Sequence, residues 1–261
     1  MKVIIITSIE NGIASSCVRE LVLNPNIEVL GVIHSRLSIK KNRRYYAKKI
    51  KKIIKIGILG VLNGIRIRKW FFKVEKTSIY TVCSANKIPL FEIGTVNSFE
   101  TEELLDNLNP DLGVSLGNNY INKKIFSIPK YGIINVHTEI LPEYQGAHGV
   151  IWPIYYGKLI TGFTIHTIDE YIDTGDILYI ENIPIIFQSR LKKTVETTMS
   201  KVYSRVPNAL SIVCGNFLDY KNNSIPQKRG IPYTTPTISQ FIRMCGNNYK
   251  LHKKSKMAKQ K

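Results

Sequence analysis

Val3-Ile4-Ile5-Ile6-Thr7 is an unbroken apolar, β-branched run that begins two residues into the chain. A short run without polar alternation reads as a strand buried on both faces, the kind found inside parallel sheets. The residues after it have helical spacing to about Leu23, and residues 27–34 form a second apolar strand. Residues 98–108 read as a helix capped by Ser98, with Glu100, Glu102 and Glu103 near its start, where acids complement the helix dipole. Residues 112–116 and 132–136 are two more buried strands. Strands separated by helices predict an α/β chain with a doubly wound, mostly parallel sheet. Ligands of such sheets bind beyond the carboxyl ends of the strands, which directs attention to the residues just past Val136.

Two stretches depart from the alternation. Residues 36–77 are dense in Lys and Arg, interleaved with Ile, Leu, Trp70, Phe71 and Phe72, and read as one or two helices inserted after the second strand. Residues 162–184 alternate polar and apolar side chains and read as an antiparallel pair. Residues 191–210 are helical again. This organisation predicts a main domain over 1–210 carrying the basic insert. A C-terminal extension over 211–261 would be loop-like, with Pro226, Pro232 and Pro236, then a short helix and a basic tail.

Composition excludes several classes. At 261 residues with 44% hydrophobic and 21% charged residues, the chain is an ordinary globular one. Its longest apolar stretch, residues 53–65, holds 13 residues including Lys55 and is too short to span a bilayer. The opening residues read as strand rather than secretory leader. Four cysteines, Cys17, Cys83, Cys214 and Cys245, lie far apart, which fits a reduced cytoplasmic protein without a zinc ribbon or redox pair. No metal-ligand motif occurs. Of 37 Lys and Arg, 15 lie in residues 36–76, where Glu75 is the one acid, and 6 lie in 250–261, which has none; the rest hold 16 basic and 18 acidic residues. The net +18 therefore belongs to two appendages. A nucleic-acid-binding core carries its own basic face, so nucleic acid is not the expected partner.

The chemistry-bearing residues gather at one strand end. In Ile133-Ile134-Asn135-Val136-His137 the alternation of an extended strand sets Asn135 and His137 on one face. The amide can donate to a developing oxyanion, and the imidazole can move a proton near neutral pH. A carboxylate arriving on a glycine-containing loop could orient that imidazole. Taken alone, the pair reads more readily as a strand-end cap beside a backbone-satisfied histidine than as a reactive site.

The wider pattern tips the balance. Asn135-x-His137-x-x-Ile140-Leu141-Pro142-x-Tyr144-x-Gly146, then Thr161-Gly162, then Ile172-Asp173-Thr174-Gly175-Asp176-Ile177-Leu178, resembles the formyltransferases that use 10-formyltetrahydrofolate. That family includes glycinamide ribonucleotide transformylases, methionyl-tRNA formyltransferases and sugar-nucleotide N-formyltransferases. The resemblance implies a Rossmann-like formyltransferase fold. It also implies that Asn135 stabilises the oxyanion, His137 takes or relays the amine proton, and Asp173 holds and charge-balances His137. It puts the 10-formyltetrahydrofolate co-substrate beside Phe91, Ile93 and Gly94, beside Leu116, Gly117 and Asn118, and beside Ile168, Asp169, Ile172, Thr174 and Gly175. Two positions depart from the family pattern: Glu139 stands where Ser is common, and Gln145 where Arg often precedes the loop glycine. On the acceptor side, the candidates are Asn11 and Gly12 at the opening of the first helix, with Gly146 and His148. His166 reads as structural.

Among acceptors within this family, a nucleotide-linked amino sugar of the 4-amino-4,6-dideoxyhexose type, destined for a surface glycan, fits the chain length and the small C-terminal region. The stretch after Phe187 is too short for both a closing helix and the barrel domain of methionyl-tRNA formyltransferases. An aminoacyl-tRNA acceptor stays open because those enzymes carry a basic loop where this insert sits. A non-catalytic binding protein on the same scaffold is the third reading. The apolar residues among the charges of residues 43–73 suit a peripheral contact with the inner face of the cytoplasmic membrane. They equally suit core packing or a homodimer contact.

Overall fold

The computed structural model describes residues 1–35, 43–71, 77–146, 149–230 and 232–258. Its seven strands form one sheet. They are β1 (Lys2–Thr7), β2 (Glu28–Ser35), β3 (Leu90–Ile93), β4 (Leu112–Leu116), β5 (Ile133–His137), β6 (Ile160–Thr167) and β7 (Ile177–Pro184). The order is β3-β2-β1-β4-β5-β6-β7. The five strands from β3 to β5 run parallel, whereas β6 and β7 are antiparallel to their neighbours. The chain thus winds outward from β1 to β3, returns to β1's other side at β4, and winds the opposite way. The switch opens a crevice at the carboxyl ends of β1 and β4.

Alternation along β1 shows why the opening run is apolar throughout. Val3 and Ile5 belong to one core cluster and Ile4 and Ile6 to another, on opposite faces of the sheet. The first cluster is covered by α1 (Ile13–Val22), α3 (Ile79–Ala85), α6 (Ile151–Tyr155) and α7 (Leu191–Gly215), with α8 (Phe217–Asn222) and α9 (Ile238–Ala258) at its edge. The second is covered by α4 (Phe99–Leu108) and α5 (Lys123–Phe126). The Ser98 cap forms, its hydroxyl accepting from Thr101 N, and Asn109 ends α4 in the left-handed conformation. In the insert, α2 (Arg43–Phe71) is one helical element broken at Gly57, whose φ of 72° and ψ of 163° lie outside helical space.

Two features of the C-terminal region differ from the sequence reading. α7 runs five residues past 210, and the last helix is long, at 21 residues, and takes up the basic tail as far as Ala258. The reason is packing. Met244 on α9 is fully buried in the first cluster. Asn247 donates from Nδ2 to the carbonyls of Ile154 and Tyr155 at 3.1 and 2.8 Å, satisfying the open end of α6. Residues 211–258 therefore share the core of 1–210. β3 and α3 were not read from the sequence, β3 because a four-residue strand, Leu90-Phe91-Glu92-Ile93, is too short to show a period.

Phe163, on β6, is fully buried and lies against Tyr179 of β7, with ring centroids 6.0 Å apart. Phe163→Ala is expected to lower the unfolding free energy by about 3–5 kcal/mol, the usual cost of a large core cavity. Urea denaturation read by far-ultraviolet circular dichroism measures it.

Candidate active site

Asn135 and His137 end β5, and antiparallel pairing sets His166 of β6 directly opposite Asn135 and Thr164 opposite His137. Asp173 reaches the same place from the loop between β6 and β7 with φ 53°, a left-handed conformation that Asp tolerates better than most residues. Its Oδ2 accepts from the backbone N–H of Gly146 at 2.8 Å and lies 3.3 Å from His137 Nδ1. Two glycines permit this approach. Gly146 has φ 68°, and a Cβ there would stand 2.9 Å from Pro232 Cβ. A Cβ on Gly175 would stand 1.9 Å from the Thr167 carbonyl oxygen.

Hydrogen-bond logic assigns the ring protons. His166 Nδ1 lies 2.8 Å from the Thr167 carbonyl, which only accepts, so Nδ1 carries a hydrogen. Burial holds this imidazole well below its usual range, at about 4, although Asp173 and the Thr167 carbonyl pull the other way. The ring is thus neutral, and its bare Nε2 accepts from Asn135 Nδ2 at 3.2 Å. The 3.7 Å separation of that same Nε2 from Asp173 Oδ1 is not an ion pair. One Asn135 hydrogen is committed to His166, which fixes the amide's orientation and leaves the second hydrogen as a donor. His137 donates from Nε2 to the Tyr144 carbonyl at 3.0 Å. A neutral His137 then turns its Nδ1 lone pair toward the Asp173 carboxylate. Taking up one proton on Nδ1 converts that repulsion into an ion pair.

These groups line a cavity of about 330 Å³ with Ser115, Asn118, Asn119, Tyr120, Ile121, Gly146, Ile168, Asp169, Tyr171 and Ile172. Of the residues expected around the co-substrate, Asn118, Ile168, Asp169 and Ile172 lie on it. Asn118 is fixed by donating to the Ile6 carbonyl at 2.6 Å and accepting from Ser8 at 2.9 Å. Thr174 acts one step back, donating to both Asp169 carboxylate oxygens at 2.6 and 2.8 Å, and Gly175 packs beneath the loop. Phe91, Ile93, Gly94, Leu116 and Gly117 do not line it. Phe91 and Ile93 pack in the second core cluster and Leu116 in the first, because β3 and β4 turn those side chains into the sheet's faces. On the acceptor side, Gly146 lies on the cavity. Asn11 and Gly12 line another of about 690 Å³ between α1 and α7 instead. His148 lies outside the described residues.

The sequence reading takes His166 as structural; the structure sets it against Asn135, and the alternation of Thr164-Ile165-His166-Thr167 is the signal that its strand could pair with β5. That reading names Glu139 only as a departure. Glu139 is fully buried, accepts from the backbone N–H of Val150 and, at 3.1 Å, from the Thr161 hydroxyl, and burial pushes its carboxyl up to about 8. It braces the segment that presents Tyr144 and Gly146 to the site. Burial raises Cys17, Cys83 and Cys214, the last two to about 11 and about 12.

A doubly wound sheet with an amide, an imidazole and a carboxylate converging at its strand ends holds hydrogen-bond donor, base and charged groups together where ligands of such sheets bind. Residues 73–212 match the family described as Formyl transferase, and the chain belongs to it. A methionyl-tRNA formyltransferase from Ehrlichia ruminantium (strain Gardel) is 32% identical over 147 residues, 56% of this chain and 47% of that one. The chain spans about half the length of the curated relatives it matches. A phosphoribosylglycinamide formyltransferase from Anaplasma phagocytophilum superposes with TM-score 0.57 at 13% identity, covering 91% of this chain and 98% of that one. A sugar N-formyltransferase from Shewanella sp. FDAARGOS_354 superposes with TM-score 0.55 at 18% identity, covering 92% and 78%.

The site's geometry can be tested by substitution. His137→Asn, Asp173→Asn and Asn135→Ala should each cut turnover by about 10² or more with the fold intact, the size of a lost proton-transfer or oxyanion group. Steady-state kinetics beside circular dichroism of each variant checks this; near-parental kcat in all three would remove the assignment. Stability should also respond to pH. Glu139 binds its proton up to about pH 8 when folded but only to about 4.5 when unfolded, so stability falls as pH rises through this window. His166 works oppositely, between about 4 and 6.5, so the two offset each other at acidic pH. Between pH 6.5 and 8 Glu139 acts alone, and unfolding free energy should fall by up to about 1.4 kcal/mol per pH unit. Glu139→Gln should abolish that slope in urea titrations across the same range.

Proposed function

We propose that this chain is an N-formyltransferase that moves a formyl group from 10-formyltetrahydrofolate to the amine of a nucleotide-linked amino sugar of the 4-amino-4,6-dideoxyhexose type, for surface-glycan synthesis. The observation that carries the reading is the Asn135–His137–Asp173 cluster on a cavity whose wall mixes amides with Ile168, Ile172 and Tyr171. A cavity of about 330 Å³ with apolar walls and a few fixed polar groups fits a pterin head. The co-substrate, when bound, supplies an activated formyl carbon.

The chain's residues do the remainder. Asn135 directs its uncommitted amide hydrogen at the formyl oxygen as negative charge develops there, having been oriented beforehand by His166. His137 takes the proton shed by the attacking amine on Nδ1, and Asp173 stabilises the imidazolium so formed. The nitrogen–carbon bond to the acceptor forms as the bond to the donor nitrogen breaks. That donor nitrogen leaves with a proton returned through His137. Ile168, Ile172 and Tyr171 limit water, which would otherwise hydrolyse the formyl group.

The sugar acceptor is favoured by the C-terminal region, which closes against the site. Gly230 donates to Gln145 Oε1 at 2.7 Å, Tyr233 to the Gln145 carbonyl at 2.7 Å, and Gln227 Nε2 to the Gly175 carbonyl at 2.5 Å. A wall of this kind beside Gly146 suits a small acceptor. The specific observation for an aminoacyl-tRNA acceptor is the identity to methionyl-tRNA formyltransferases together with the basic α2. Incubation with 10-formyltetrahydrofolate and either amino-sugar nucleotides or charged initiator tRNA separates them. Tetrahydrofolate release and a product heavier by one formyl group are expected with an amino-sugar nucleotide. Formylation of the tRNA alone would replace the sugar reading, and no release with any amine would end both.

A further inference from the structure

Every side chain described between residues 43 and 55 is exposed, among them Ile50 at 56%, Ile53 at 39% and Ile54 at 78%. From the break at Gly57 onward, α2 has two faces. Asn63, Ile67 and Trp70, with Ile56 just before the break, are buried toward the body of the protein, and Trp70 lies 6.3 Å from Phe241 of α9. The opposite face carries Ile58, Leu59, Leu62 and Ile65, exposed by 71, 63, 58 and 53%. Residues 58, 62 and 65 have helical spacing, so three aliphatic side chains stack in one stripe. Core packing therefore accounts for the inner face only. A helix of roughly 14 residues without a covering surface is marginal in water, so the first half of α2 needs something to lie against.

The charge around these stripes selects the occupant. Residues 43–71 contain ten Lys and Arg and no Asp or Glu. A second copy docking face to face would set basic helix against basic helix. A phosphate backbone alone would satisfy the charges but leave seven large aliphatic side chains in water. A bilayer with anionic headgroups satisfies both, taking the aliphatic stripe at its acyl boundary and the cations at its phosphates. Crossing is not involved, since among the described residues no helix is long and apolar enough to span a membrane. We infer that α2 is a peripheral docking helix for an anionic lipid surface, holding the site against the bilayer independently of which amine is formylated.

The test is co-sedimentation of the full chain with phosphatidylcholine vesicles and with vesicles that also contain phosphatidylglycerol. The parent should sediment with the anionic vesicles and remain in the supernatant with the neutral ones. Lys51→Glu combined with Lys69→Glu should weaken binding by at least about 25-fold, because each cation near an anionic surface contributes about fivefold. Ile54→Asp with Ile58→Asp and Leu62→Asp should abolish it. These positions are exposed, so circular dichroism and formyl transfer to a soluble acceptor should match the parent. Parent protein left in the supernatant with both lipids would overturn the inference. So would an apolar-to-Asp variant that still sediments fully, a dimer in light scattering that the same variant dissolves, or tRNA binding that it leaves unchanged while lipid binding is absent.

Discussion

The antiparallel pairing of β6 on β5 is the constraint on which the site depends. In register, it sets His166 opposite Asn135 and Thr164 opposite His137. A slip of one residue would turn His166 to the other face of the sheet, and the amide of Asn135 would lose the acceptor that orients it. Thr164 secures the next step outward. Its hydroxyl donates to the Glu139 carbonyl at 2.8 Å and accepts from the Leu141 N–H at 3.0 Å, so the chain leaving β5 is tied to the strand beside it. The parallel half of the sheet provides a rigid floor, and this one antiparallel contact gives that floor its chemistry.

Most of the fold was legible because burial on two faces leaves a plain mark. Residues 3–7 and 112–116 are apolar or small throughout, and β1 and β4 occupy them within a residue. Ser98 announced α4 by the capping chemistry that the structure contains. The last helix is longer than the sequence reading has it because the apolar positions that reach the core, Phe241, Met244 and Cys245, are few and diluted by Lys, Arg and Asn. Its length comes from contacts with α6 and α7 that local periodicity does not encode.

Of the site, the gathering of Asn135, His137 and Asp173 was legible and much of the wall was not. Asn135 and His137 share a strand, so an i, i+2 spacing is enough to bring them together. Asp173 needed a family pattern, because no local rule says where the loop between β6 and β7 will return. The resemblance sets the backbone of residues 91–94 and 116–118 beside the co-substrate; the side chains of Phe91, Ile93 and Leu116 pack into the sheet's own interior, and of these positions Asn118 lies on the cavity. Tyr171, Asn119 and Tyr120 were passed over because loop residues carry no periodicity to mark which way they face.

Gln145 has a consequence for how the protein could change over time. It is 2% exposed, and its side chain is satisfied entirely by the C-terminal segment: it donates to Gln227 at 3.3 Å and to the Lys228 carbonyl at 3.1 Å, and accepts from Gly230. Where an Arg occupied this position, the same cavity would receive a cation too large and too charged for those partners. The loop that carries residue 145 and the segment beyond residue 223 are therefore not interchangeable parts. Exchanging C-terminal segments between relatives, whether by recombination or by design, will seat the new segment against this loop only when residue 145 travels with it.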